Sequence, residues 1–184
     1  MPVTREDLEL DTGLADDVDA TVISAQFGVR DRYAELSGSS DPMLLLTLES
    51  PELETTFEQG YSTGAAKQWQ VKGDGREIVS AKNPENHRFN MNSRAGQVVA
   101  RMVSLVGGGD RAKGQDFFVK RGHLMSQAAF YEGLTFHWKR ETMKTVSGED
   151  REVLMPNAFI GEAAPAGKPS VKSIGISEST LSTL

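Results

Sequence analysis

The chain contains no cysteine, no long hydrophobic run and no leader-like start. Without cysteine it can form neither a disulfide nor a thiolate metal site. No apolar run exceeds four residues, which is far too short to cross a bilayer. The N-terminus also lacks the basic residues and apolar stretch of an export signal. We therefore expect a cytoplasmic protein that has no membrane partner.

Apolar residues are few and glycines are many. Hydrophobic residues make up 38% of the 184 residues, below the roughly 45% of a typical globular protein, and 18 residues are glycine. This composition favours short strands and frequent turns over a helical bundle. The length suits one domain with a single core.

Charge is distributed unevenly along the chain. The formal net charge is −6, and residues 1–20 hold seven of the 26 acids but one of the 20 bases, which leaves 19 of each sign in the rest. A neutral domain can still present a positive groove, so the net charge does not exclude a nucleic-acid binder. We interpret residues 1–19 as an acidic arm that either improves solubility or competes with an anionic ligand.

Hydrophobic periodicity predicts a mainly β domain over residues 20–162. We expect strands over residues 21–29 and 43–48, two short strands separated by a loop within 57–71, and a hairpin that pairs 68–72 with 76–81 around the turn Gly73-Asp74-Gly75. A last hairpin runs from Leu134 to Ile160. It places Leu134, Phe136 and Trp138 on one face and His137 and Lys139 on the other.

One principal α-helix is predicted from Asn92 or Ser93 to the glycine run that begins at Gly107. Its apolar residues recur at spacings of three and four. Residues 107–122 are predicted as a mobile connection, 125–131 as a short helix and 163–184 as a flexible tail. Strands before and after one helix follow the element order of a small OB-like, partly open β-barrel, which binds ligands across its strand faces.

Basic and aromatic residues recur together in this predicted barrel. Single-stranded nucleic acid needs cations along its phosphates and flat rings against its bases. We expect phosphate contacts from five cations, namely Lys67, Lys72, Arg88, Arg94 and Lys139. We expect base stacking on Trp69, Phe89 and His137. Trp69 is predicted to be exposed because its neighbours are polar, whereas Trp138 shares the parity of Phe136 and is predicted to be core.

Catalytic and metal motifs are missing from the sequence. The histidines at 87, 123 and 137 lack partners at metal-ligand spacing. The segment Gly107–Gly114 lacks the Gly-Lys-Ser/Thr ending of a phosphate-binding loop, and no Gly-x-Ser-x-Gly motif is present. We therefore predict no enzymatic activity, no metal and no cofactor.

Several short segments resemble the OB-fold single-stranded DNA-binding proteins encoded in the DNA-metabolism regions of tailed bacteriophages. The resemblance covers about residues 8–162 and rests on Leu10–Asp17, Leu44–Glu49, Arg88–Ser93, Gly133–Trp138 and Leu154–Gly161. It implies a protein that coats single-stranded DNA in phage replication or recombination, without a cofactor. Replication or recombination proteins and further copies of the chain are the implied partners. Proteins of this role often end in an acidic tail, whereas here residues 168–184 are nearly neutral.

Two other classes of protein stay open at this point. A virion structural or assembly protein would order its acidic arm and its Ser/Thr-rich tail against neighbouring subunits. A DNA-mimicking inhibitor would use the acidic arm in place of a nucleic acid.

Overall fold

The computed structural model of the protein describes residues 15–29, 40–145 and 147–163. These residues form seven strands and two α-helices. In chain order they are β1 (Val18–Gly28), β2 (Met43–Ser50), β3 (Thr55–Ser62), β4 (Trp69–Lys72), β5 (Glu77–Ser80), α1 (Arg94–Val106), α2 (Arg111–Arg121), β6 (Leu134–Lys144) and β7 (Asp150–Glu162). None of the helices within these ranges is long and apolar enough to span a bilayer.

The architecture is mainly β, as the sequence predicts. Five strands form an antiparallel sheet in the order β3-β2-β1-β6-β7, and β4 and β5 pair as a separate hairpin. The edge strands β3 and β7 do not pair with each other, so the sheet is a partly open barrel. The predicted OB-like fold class is confirmed.

Helix α1 and one tyrosine connect the two edge strands. The helix packs against both β3 and β7 and buries its apolar stripe, including Val98 and Met102, in the core. The Tyr61 hydroxyl on β3 donates a hydrogen bond of 2.5 Å to the Leu154 carbonyl on β7. Complete burial raises the pKa of the Tyr61 phenol. The hydroxyl therefore stays protonated and remains a donor.

A bulge in β1 changes which residues of this strand face the core. The strand pairs with β6 over its first residues and with β2 over its remainder, and the register shifts between Val22 and Ser24. Up to Val22 the buried residues have even numbers, whereas after the shift the buried residues are Ala25 and Phe27, with odd numbers. An extra residue at a bulge turns the following side chains to the other face. A single period of two therefore cannot describe the whole strand.

The last hairpin follows its predicted pattern. Leu134, Phe136 and Trp138 are fully buried, and the Trp138 indole nitrogen donates to the Ala20 carbonyl at 3.0 Å. The turn includes Gly148 at a φ of +86°, a conformation that favours glycine. Trp138 is thus a core residue, as its parity predicted.

The prediction of a mobile connection over residues 107–122 is wrong, because α2 occupies most of it. The Asp110 side chain caps this helix by accepting from the backbone N–H groups of Ala112 and Lys113. Gly122 ends it at a φ of +74°. Phe118 anchors it by stacking on Phe130 at 4.0 Å between ring centroids. The predicted helix over 125–131 is shorter, a 3-10 turn at Ala128–Phe130.

The folded part of the chain begins earlier than residue 20. Ala15 is buried, and β1 starts at Val18, inside the region predicted to be an acidic arm. Residues 1–14 of that arm and residues 164–184 of the predicted tail lie outside the described residues.

Close packing of α2 on α1 makes Gly114 a sensitive position. A Cβ atom there would lie 1.7 Å from the Val103 carbonyl oxygen of α1. We expect Gly114→Ala to lower the free energy of unfolding by about 1–3 kcal/mol, because the overlap outweighs the better helix propensity of alanine. Urea denaturation measures the change. Gly161→Ala is the matched control, since open space surrounds Gly161, and an equal loss in both variants would contradict the packing argument.

Removing the Tyr61 hydroxyl should weaken the link between the edge strands. We expect Tyr61→Phe to cost about 1–3 kcal/mol, because it leaves the buried Leu154 carbonyl without its partner. Hydrogen exchange should also become faster in α1. Tyr131→Phe deletes a hydroxyl that bonds to Met125 in the same local segment, so it should leave α1 exchange unchanged. Unchanged exchange of α1 in Tyr61→Phe would show that the bond does not hold the edges together.

Candidate nucleic-acid interface

An open cleft, here called the polar cleft because polar and charged residues make up most of its lining, lies where the start of α1, the end of β3 and the tip of the β6–β7 hairpin meet. Its volume is about 510 Å³. The loop before α1 forms one wall, and Ser93 ends this loop by capping the helix through a hydrogen bond from the Gly96 N–H at 3.0 Å. A Cβ at Gly96 would lie 2.1 Å from the Asn90 carbonyl oxygen. Glycine at 96 therefore allows the loop to fold tightly onto the helix.

Three cations line this cleft: Arg94, Lys144 and Arg151. Arg94 comes from α1 and the other two from the hairpin. The Arg94 guanidinium donates to the Gln97 amide oxygen at 2.8 Å and to the Lys144 carbonyl at 2.7 Å. It thereby ties the helix to the hairpin. Within residues 15–29, 40–145 and 147–163 it has no carboxylate partner.

The two hairpin cations have exposed carboxylate partners. Lys144 lies 3.2 Å from Asp150 and Arg151 lies 3.9 Å from Glu149, and all four side chains are more than half exposed. Exposed pairs of this kind contribute little free energy. An incoming phosphate can therefore replace either carboxylate at small cost.

The structure places Trp69 behind the wall of the cleft. Its indole nitrogen donates to the carbonyl of Thr63, a lining residue, at 2.9 Å, and its ring packs edge-on against Phe89 at 5.5 Å. The side chain is half-buried, so the prediction that it is exposed is wrong. The neighbouring cations Lys67 and Lys72 are exposed but do not line the cleft.

Arg88 and Phe89 lie at a different surface. Both line a second groove, between α1 and α2, here called the apolar groove because most of its lining residues are apolar. Phe89 is 8% exposed and also packs against Phe27 in the core, at 6.0 Å between centroids. Stacking on a nucleotide base requires a free ring face, so the predicted role of Phe89 does not fit its burial.

His137 is held by two carboxylates on the outer side of β6. Its Nδ1 lies 2.7 Å from Asp19 Oδ1 and its Nε2 lies 2.8 Å from Asp17 Oδ1. The hydrogen bond to Asp19 is the largest cause of a raised pKa of His137, and the bond to Asp17 raises it further. The bond to His137 in turn lowers the pKa of Asp17. Lys139 is exposed two residues further along the strand. The predicted stacking role of His137 does not fit a ring whose two nitrogens already bond to aspartates.

Of the eight predicted contact residues, Arg94 alone lines the polar cleft. The others lie at the apolar groove, at the β4–β5 hairpin and the 3-10 turn just before it, or on the outer side of β6. The prediction missed Lys144 and Arg151. The sequence could have indicated them, because both lie beside the turn of the last hairpin, whose pairing the sequence predicts. Cross-strand pairing places residue 144 opposite Asp150.

No group of three or more His, Asp or Glu side chains in the described parts of the chain is arranged to hold a metal ion. Comparisons with protein-family models, curated protein sequences and solved structures gave no match to this chain. The resemblance to phage single-stranded DNA-binding proteins therefore stays a prediction.

The His137 contacts predict a pH-dependent contribution to stability. The contribution of His137 is full below its usual pKa of 6.5 and is lost as the pH rises through the higher folded value. The contribution of Asp17 to stability is full above its usual pKa of 3.8 and is lost as the pH falls through its lower pKa in the folded protein. We expect His137→Gln to destabilise the protein most between about pH 4 and 6.5, and less at pH 9.

Thermal unfolding across this pH range measures the effect. The double variant Asp17→Asn with Asp19→Asn should reproduce the profile, since it removes the same contacts from the other side. A destabilisation by His137→Gln that does not change with pH would contradict the assignment.

Proposed function

We propose that the protein binds single-stranded DNA without sequence preference and without catalysis, through phosphate contacts in the polar cleft. The observation that carries this proposal is the meeting of Arg94, Lys144 and Arg151 around one open cleft. These cations come from two distant parts of the chain. Proteins follow a nucleic-acid backbone with cations placed along a groove, and here three cations face one acid in the lining, Glu152.

Phosphate contacts outweigh base stacking in this proposal. The aromatic rings expected to stack are half-buried, buried or occupied, and the polar cleft has no aromatic side chain in its lining. Affinity then depends mostly on counterion release, which makes it sensitive to salt and tolerant of sequence. Amide and hydroxyl groups in the lining, such as Asn92 and Gln97, supply further hydrogen-bond donors for phosphate oxygens.

The biological setting is part of the proposal and depends on the resemblance. A protein of this kind would coat single-stranded DNA during phage replication or recombination and would contact proteins of the same process. The excess of acid in residues 1–20 does not oppose this role, because the rest of the chain is neutral.

Binding of fluorescein-labelled oligo(dT), followed by anisotropy at several salt concentrations, tests the proposal. Arg94→Gln should weaken binding severalfold and reduce the slope of log affinity against log salt by about 1, because one phosphate contact is lost. Arg94 also bonds to the hairpin, so Arg151→Gln serves as a second variant that leaves this bond in place. Both should bind oligo(dT) and oligo(dA) with similarly reduced affinity.

Lys113→Gln is the matched control, because Lys113 is an exposed cation on α2 outside the cleft. It should change neither affinity nor salt slope by a comparable amount. Wild-type protein that does not bind oligo(dT) at low salt would refute the proposed function. Equal effects of all three variants would refute the cleft as its site.

A virion structural or assembly protein is the second candidate. The apolar groove between the helices favours it, because exposed apolar surface of this kind commonly contacts another protein.

A further inference from the structure

The groove between α1 and α2 is lined mostly by apolar residues. Its volume is about 900 Å³, and its floor is formed by buried side chains such as Val99, Val103 and Phe130. Three of the seven large apolar side chains that are exposed in these residues line it. They are Met91 at 52%, Leu124 at 48% and Val119 at 77%, the highest of the seven. Clustering of this kind marks an interaction surface.

The rim of this groove is basic. Arg88 and Arg111 line it, and neither forms an ion pair with any residue in the described ranges. Asp116 is the one acid in its lining. The complementary occupant carries apolar side chains for the floor and carboxylates for the two arginines.

The chain itself contains a segment with this chemistry. Residues 7–11 read Asp-Leu-Glu-Leu-Asp, so two leucines alternate with three carboxylates. No comparable segment follows residue 163, where the apolar residues are accompanied by Lys168 and Lys172 and by one acid, Glu178. Charge complementarity therefore selects the N-terminal segment over the C-terminal one.

We propose that residues 7–11 of one copy dock into the groove between α1 and α2 of a second copy. Leu10 lies five residues before the buried Ala15, which limits its reach from that point to about 17 Å. Asp16 accepts from the Arg140 N–H, and Asp17 bonds to His137, so the described part of the chain begins beside β6. The groove of a second copy can lie within this reach.

Such a contact joins different surfaces of the two copies. A head-to-tail contact leaves one free groove and one free segment, so it builds open chains unless the rotation between copies closes a ring. The copies would associate in the absence of DNA. Failure of this contact and failure of DNA binding are therefore separate results.

Sedimentation velocity of the full-length protein over a range of concentrations tests the proposal. We expect the mean mass to rise with concentration. Val119→Asp and the double variant Leu8→Ser with Leu10→Ser should each weaken association by at least about tenfold, since each removes one side of the apolar contact. Ile160→Asp, at an apolar position 54% exposed on β7 outside the groove, and Ile174→Ser with Ile176→Ser are the matched controls.

Reversing the charges on each side of the proposed contact gives the most direct test. Arg88→Glu with Arg111→Glu should abolish association by placing acids against acids, and Asp7→Lys with Glu9→Lys and Asp11→Lys should abolish it by placing bases against bases. An equimolar mixture of these two variants should associate again. Circular dichroism and thermal unfolding establish that each variant is folded.

Several outcomes would overturn the proposal. They are a wild-type protein that stays monomeric at all concentrations, a loss of association with the Ile174 and Ile176 pair in place of the leucine pair, and no recovery in the mixture. A fourth outcome would be seen by NMR with ¹³C-methyl labelling of methionine. If the Leu8 and Leu10 double variant shifts the Met91 signal equally at low and high concentration, the segment occupies the groove of its own copy.

Discussion

The open side of the sheet is the constraint on which the rest of the structure depends. β3 and β7 end the sheet without pairing to each other, so their inner faces would be exposed to water unless another element covered the gap between them. Helix α1 covers it with an apolar stripe, and the Tyr61 hydroxyl adds one direct bond across the edges. A buried tyrosine needs a partner for its hydroxyl. The bond therefore contributes to specificity of the closed arrangement as well as to its stability.

The polar cleft follows from this closure. Because α1 lies across both edge strands, its first residues come to the tip of the β6–β7 hairpin, where Arg94 reaches the Lys144 carbonyl. Gly96 lets the preceding loop pack against the helix, and that loop becomes a wall of the cleft. The second helix then packs on the free side of α1 and creates the apolar groove. The side chains that line the two surfaces differ, because polar and charged residues predominate at the cleft and apolar residues at the groove.

Most secondary structure was predictable because local rules apply to it. Ser93 caps α1, the three residues before Arg76 form the β4–β5 turn, and the alternation in β6 gives the buried Trp138. Helix α2 was missed because its charges, its Gly114 and the glycines that flank it are typical of a loop, although Asp110 and Gly122 are good helix ends. Its stability comes from Phe118 packing on Phe130, a contact across twelve residues that periodicity does not register.

The sequence by itself determined the mainly β class, the principal helix with its buried face and the presence of basic and aromatic residues along the predicted barrel. These properties follow from composition and from periods of two and three to four residues. Tertiary structure alone decided which cations meet. Arg94 joins Lys144 and Arg151, whereas Phe89 is buried and His137 bonds to Asp17 and Asp19. The physical reason is that curvature of the sheet and the path of α1 bring together residues 50 or more positions apart, and no local pattern encodes that distance.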